Sequence, residues 1–422
     1  MRILRVALRF ILVVVVSLVL LQSKDTLRLS PVEELAKSHL YSLVQWEVTN
    51  FFDKWLYRVR LLLPGTSLDA ESGVDLVREY FQLGEQVNRL EDRLEEALFS
   101  SDGGINESIE ALGEELTRTE KMRAKLRDQV EEILEGEIDA GIAREGLALG
   151  GPIRALGVHF PPVDFRMDPS PRVLVVSPRD RIEMIDGILL DPGISLEDME
   201  ALEARALEEE DLSVLVEGTG GVATYPAVIS PDFSLRGTLI TAAHEWLHHY
   251  LFFRPLGQAY GSNPDTTSLN ETLATIFGRE IGNLVYEKYQ VSPNTPSTVQ
   301  PQPTPRSPGD DFVFRLEMRE TRIHAEELLR EGKVEEAEEY MEQRRQFLAE
   351  HGHFIRKLNQ AYFAFHGTYA DSPASVSPIF DQLSTLRAAS PSLGDFVREV
   401  ASFSSYGAFL EELETKAGTD GQ

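Results

Sequence analysis

At 422 residues and a formal net charge of −28, the chain is long enough for two or three domains. It is too acidic for a nucleic-acid binder, which needs a basic surface to neutralise phosphates. It has no cysteine, which rules out disulfides, cysteine-ligated zinc, thiol catalysis and a lipid-modified cysteine anchor together.

At the N-terminus, Arg2, Arg5 and Arg9 accompany the apolar run Phe10 to Leu21. A basic segment followed by about a dozen apolar residues is a secretory signal or a signal-anchor. Leu21-Gln22-Ser23 is a poor cleavage site, so the expectation is an uncleaved single-pass anchor over residues 1–23. The positive end would stay inside the cell and the body of the protein would be extracytoplasmic, at the cell membrane. Residues 24–72 form a juxtamembrane segment in which Pro31 to Leu63 reads as one helix, capped by Ser30. Its aromatics Trp46, Phe51, Phe52 and Trp55 alternate with Lys54, Arg58 and Arg60, which suits either a membrane-interface helix or a helix packed on the body.

Residues 73–139 carry heptad spacing. Leu76, Tyr80, Leu83, Val87, Leu90 and Leu94 make one seam, and Ile109, Leu112, Leu116, Thr119, Arg123, Leu126 and Val130 make a second. Ser100 to Gly104 is a turn between them, so an antiparallel helical hairpin is expected. It would serve as a stalk, a lever or a surface for a helical partner.

Residues 140–422 read as a further domain. Glycines at 141, 146, 150 and 151 mark loop, and strands are expected at Arg172 to Ser177, Gly187 to Leu190 and Leu212 to Glu217. Thr224 to Ser230 is another, confined by Pro226 to a sheet edge. The stretch Val222 to Ile229 could then bind an extended peptide through its main chain, or be an ordinary structural edge. Ser195 caps an acidic helix running to Glu210.

Leu235 to Phe253 reads as an apolar helix carrying His244-Glu245-Trp246-Leu247-His248-His249. Residues four apart stack on one helix face, so His244 and His248 can point two imidazoles at one metal ion. Glu245 is close enough to that face to act as general base on a metal-bound water, the zincin arrangement. The competing reading is a pair of histidines packed in a core helix. His249 is turned about 100° from its neighbour and would only support.

After a loop over Gly257 to Thr267, a second helix is expected from Ser268 to Tyr289. Catalytic zinc takes three protein ligands and an open position, and Glu271 on this apolar helix is the candidate for the third. Its alternative role is to complement the helix dipole in the first turn. Glu280 is the fallback ligand. Residues 291–310 are a Pro-rich linker, and a charged helical region runs from Phe312 to Gly352 with a break at Gly332. In the aromatic stretch Leu358 to Tyr369, Tyr369 and His366 are candidate donors to the oxyanion that forms on an attacked carbonyl. Two amphipathic helices, Ile379 to Ala388 and Leu393 to Phe403, precede a charged tail.

The motif order resembles that of membrane-associated, HExxH-containing predicted bacterial aminopeptidases, broadly gluzincins. The resemblance rests on HEWLHH, Asn270-Glu271-x-x-Ala274-Thr275, and Asn359-Gln360-Ala361 leading to Gly367-Thr368-Tyr369, and covers Leu235 to the C-terminus. It implies zinc held by His244, His248 and Glu271, with Glu245 as base. The Gly-x-Met-x-Asn that anchors the substrate amine in zinc aminopeptidases is absent, so exopeptidase action comes from the resemblance alone. The expectation is a mainly α-helical α+β protein, with a zincin-like domain and small sheet behind an N-terminal membrane anchor and a helical hairpin. It would hydrolyse peptide or protein substrates with Zn2+. The rival reading is a non-catalytic, membrane-tethered scaffold with a retained metal site.

Overall fold

The computed structural model describes residues 29–60, 70–99, 106–147, 160–290 and 308–419. The expected anchor (1–23), the turn at 100–104 and residues 291–307 of the Pro-rich linker lie outside the described residues. Among the described residues no helix is long and apolar enough to cross a membrane.

Helix α1 (Pro31–Leu35) starts on a capping box: Ser30 Oγ accepts from the Glu33 amide at 3.1 Å, and the Glu33 carboxylate accepts from the Ser30 amide at 2.6 Å. Helix α2 (Leu43–Arg60) is separate from it. The single helix expected over residues 31–63 is therefore two. Between them the chain turns aside to pair with strand β3 (Asp186–Leu190), where the Tyr41 amide donates to Leu189 O at 2.9 Å and the Asp191 amide donates to His39 O at 2.8 Å. An open strand edge offers backbone partners that a lone helix end lacks.

Polar contacts seat α2 on the body. Trp46 Nε1 donates to Asp168 Oδ2 at 2.7 Å, and buried Lys54 lies 2.9 Å from Asp164 and bonds Glu135 and the Phe165 carbonyl. These are the contacts of a packed helix.

Helices α3 (Ala70–Phe99) and α4 (Asn106–Arg144) form the hairpin. Gly73 faces Ile133 and Gly84 faces Arg123, so the pair is antiparallel. Arg123, the charged seam position, lays its guanidinium 4.8 Å over the Tyr80 ring and donates to Pro231 O. α4 runs through Gly141, where loop was expected, and ends before Gly146 at φ +78°. Its last turns bury Leu134, Ile138 and Ile142 in the same apolar core as the two helices that carry the candidate ligands. Packing outweighs the helix penalty of one glycine, about 1 kcal/mol.

Two small sheets follow. The antiparallel sheet β3–β2–β4 combines β2 (Arg172–Pro178), β3 and β4 (Leu212–Gly218). One face, with Leu174, Val176 and Val216, packs on α1 and α5 (Leu196–Glu210); the other, with Val173, Val175 and Leu215, packs on α11 (Gln360–His366). In the second sheet, β6 (Ala227–Ile229) lies between β1 (Phe165–Met167), to which it is parallel, and β5 (Gly221–Val222), to which it is antiparallel. The strand expected at 224–230 is thus central. Pro226 stands just before it, where its missing amide removes no ladder bond, and the edge strands are β1 and β5.

Helix α6 (Leu235–Phe252) follows β6. The connection beyond it contains the short helix α7 (Pro255–Gln258), and α8 (Pro264–Gln290) starts four residues before the expected Ser268. Asn263 sets that start by accepting from the Thr266 amide at 2.9 Å. α9 (Pro308–Arg330) and α10 (Val334–Glu350) are separated at Gly332, whose φ is +76°. The chain closes with α12 (Ile379–Ala389), α13 (Leu393–Val400) and α14 (Tyr406–Thr419). The last was expected as a charged tail; fully buried Phe409 docks it on the core. The class is α+β, mainly helical, with small sheets.

Candidate metal centre

Ser234 caps α6 by accepting from the Gly237 amide at 3.2 Å, which sets the start of the helix two and a half turns ahead of His244. One turn apart, His244 and His248 bring their Nε2 atoms to 3.0 Å. α8 lies against this face because it is cut away there. A Cβ on Gly278 would sit 2.7 Å from Ile240 O and 3.0 Å from His244 Cβ, and one on Gly282 would sit 2.7 Å from Ile240 Cα. Two glycines one turn apart thus admit the α6 backbone. Glu271, two turns before Gly278 on the same face, is carried to the histidines. Its Oε2 lies 3.4 Å from His244 Nε2 and 3.5 Å from His248 Nε2.

The donor set fits a small divalent ion. Tetrahedral coordination at about 2.0–2.1 Å separates ligand atoms by about 3.3 Å, which matches all three spacings to within a few tenths. Asn270 is buried and its Nδ2 faces Leu256 O, so its Oδ1 meets His248 Nδ1 at 3.0 Å. On this hydrogen-bond pattern Nδ1 carries the proton and Nε2 presents its lone pair to the cluster. Glu271 Oε1 accepts from Tyr260 Oη at 2.7 Å, whereas buried Oε2 has no hydrogen-bond donor. A buried, unpartnered carboxylate oxygen facing two imidazole lone pairs is costly unless a cation sits among them. Among the described residues these three form a group able to hold a metal ion.

Burial works against every charge here, and the neighbours decide the outcome. Burial raises the Glu271 carboxyl, but the two histidines carry it well below the usual carboxylate range. Burial lowers His248, and the Glu271 carboxylate outweighs this and raises it, so a proton and a metal ion would compete for the same Nε2 lone pair. Glu245 is raised by burial, with His244 and His248 pulling the other way. Tyr260 and Tyr369 are raised well above the ordinary phenol value, first by the charge of Glu271 and then by burial. Both therefore remain hydrogen-bond donors at neutral pH.

These groups line one cavity of about 790 Å³, floored by α6 and α8. Residues 218–223, including β5, form one wall, and Val173, Leu189 and Phe365 form an apolar wall beyond it. The 369–371 segment is pinned to α8: the Ala370 amide donates to Thr272 Oγ1 at 3.3 Å, and Asp371 pairs with Arg279. That places Tyr369 in the lining.

No protein family, curated protein or solved structure matches the chain. The reading of the site therefore rests on its own residues. His244, His248 and Glu271 come together and Glu245 opens on the same cavity. Glu280 does not join them; it makes a two-pronged ion pair with Arg387, each contact 2.8 Å. His366 stands outside the lining, 3.7 Å from Glu217. His249 is buried and its Nε2 contacts Thr224 O at 2.8 Å. Sequence reasoning did not single out Tyr260, and it named Asn270 only within the Asn270-Glu271-x-x-Ala274-Thr275 motif, without a role. Asn270 is readable as a polar residue beside Glu271 on an apolar helix. Tyr260 carries no signal, because only the turn between α7 and α8 brings it back over Glu271.

Proposed function

We propose that the chain is a zinc-dependent hydrolase that cleaves peptide bonds, tethered to a membrane by its N-terminal segment. The observation that carries this reading is the convergence of His244 Nε2, His248 Nε2 and Glu271 Oε2, with Glu245 next to His244 in the same cavity. Bound there, zinc would supply Lewis acidity and lower the pKa of a coordinated water to about 7.

The chain's own residues supply the rest. Glu245, desolvated and raised in pKa, takes the proton of the attacking water and later delivers it to the leaving amine. Tyr369, kept protonated by the nearby carboxylates, donates to the oxyanion that forms on the attacked carbonyl. Tyr260 holds the Glu271 carboxylate and fixes which oxygen faces the histidines. The free edge of β5 supports binding of an extended chain through main-chain hydrogen bonds. The three-ligand geometry is the zincin pattern, which makes a gluzincin-type catalytic domain the proposed classification. Arg2, Arg5 and Arg9 ahead of the apolar run Phe10 to Leu21 support the tether and an extracytoplasmic site.

The test is metal analysis of the purified full chain, followed by incubation with a mixed peptide library. One zinc per chain and peptide cleavage abolished in Glu245→Gln are expected. Stoichiometric zinc with no cleavage of any peptide would leave the scaffold reading in place instead.

A further inference from the structure

Two side chains outside the metal centre converge on the residues that follow β5. Glu47, on α2, accepts from Thr224 Oγ1, and its Oε1 lies 3.4 Å from the Tyr225 amide. From α6, His249 Nε2 contacts Thr224 O at 2.8 Å, and its ring meets the Tyr225 ring edge-on at 5.1 Å. The Thr224 amide in turn donates to Val222 O at 2.8 Å. The two-residue strand β5 has few bonds of its own, since only Gly221 and Val222 pair with β6. A strand this short is a weak template unless its exit is held.

We infer that Glu47 and His249 are positioning residues that hold Thr224, and through it the edge strand β5, in register with Glu245 for an extended peptide. This inference rests on the peptidase reading. It assigns helix α2, which carries no metal ligand, a part in substrate binding. Glu47 is drawn to this place by Thr224 and Tyr225 donors, and α2 is fastened on both sides of it by Trp46 to Asp168 and by Lys54 to Asp164. Neither Glu47 nor His249 needs to touch the reacting atoms. Their effect passes through the backbone at 222–224.

The test is amide hydrogen exchange on the full chain. Glu47→Ala should raise exchange at 220–225 by about tenfold, the size of losing hydrogen bonds to a charged acceptor. Exchange in α6 and zinc content should stay as in the wild type. Glu47→Gln keeps an acceptor oxygen for both donors and should restore protection. Thr224→Val, which removes only the hydroxyl, should act in the same direction as Glu47→Ala. On an extended peptide, Glu47→Ala should raise KM by about tenfold with a much smaller change in kcat. Unchanged exchange at 220–225 in both Glu47→Ala and Thr224→Val would overturn the inference. So would a rise spread equally over α6, which marks a general loss of stability. Because exchange is read without turnover, an inert wild type would defeat the peptidase reading yet still let this clamp be judged.

Discussion

Gly221 lies directly against Glu245: a Cβ at position 221 would sit 2.6 Å from Glu245 Oε1 and 2.9 Å from Thr241 Cγ2. The edge strand and the candidate base are therefore in contact, and only a residue without a side chain lets them be. Gly221→Ala should displace the carboxylate by a sizeable fraction of an ångström. A fall in kcat of about 10²-fold is expected with zinc content unchanged, since misplacement by about 1 Å costs that much. Steady-state kinetics alongside metal analysis checks it, and wild-type kcat in the alanine variant would deny Glu245 the role of base.

Ligand and base should separate cleanly. Glu271→Ala removes a donor and leaves two imidazoles 3.0 Å apart, so zinc should be lost on dialysis. Glu245→Gln should retain zinc and lose about 10²–10⁴-fold in rate. Stripping the wild type with a chelator should abolish hydrolysis, with recovery on adding zinc back.

Asn270 orients His248 from behind. Asn270→Leu leaves a buried Nδ1 without its acceptor, and a 10–100-fold weaker zinc affinity is expected from the loss of such a partner. Competition with a chromogenic chelator measures this. An unchanged affinity would mean that packing alone orients the ring.

The seam at Gly278 is a structural requirement of the site. Gly278→Val forces side-chain atoms into the Ile240 carbonyl and His244 Cβ, and overpacking of this kind costs about 1–3 kcal/mol. A lower Tm together with weaker zinc binding is expected, because the helices that carry the ligands are pushed apart. Gly113, with open space around its Cα, is the control: Gly113→Ala should be neutral or slightly stabilising.

Acid stability should report on Glu203, which is not part of the cavity lining. Burial raises its pKa, but Arg356, at 2.5 and 3.1 Å, with Lys357 and the Val216 amide brings it below the ordinary 4.5. The folded state thus binds the proton more weakly than the unfolded state. The stabilisation is present above about pH 4.5 and is lost as pH falls through the lower folded pKa. Thermal melts from pH 7 to pH 3 should show this acid-side loss of Tm. Glu203→Gln should lower Tm at pH 7 and flatten the acid-side slope.

Local sequence determined those features whose cause is local. His244 and His248 share a face because four residues make about one helical turn, and no fold is needed to see it. The Ser195 cap, the break at Gly332 and the heptad hairpin are legible for the same reason. Glu271 was legible as the candidate third ligand, because a carboxylate on an apolar helix needs a partner; which of its two oxygens faces the imidazoles was not. Tertiary structure alone decided what depends on contacts between distant segments. The helix over 31–63 is split because β3 offers an open edge to residues 39–41. Strand 224–230 is central because β1, some sixty residues earlier, pairs with it. Gly278 and Gly282 matter because α6 crosses α8 there, and Tyr260 matters because a turn folds it back onto Glu271. Periodicity describes one segment's faces, whereas the partner each face meets is set by packing of the whole chain.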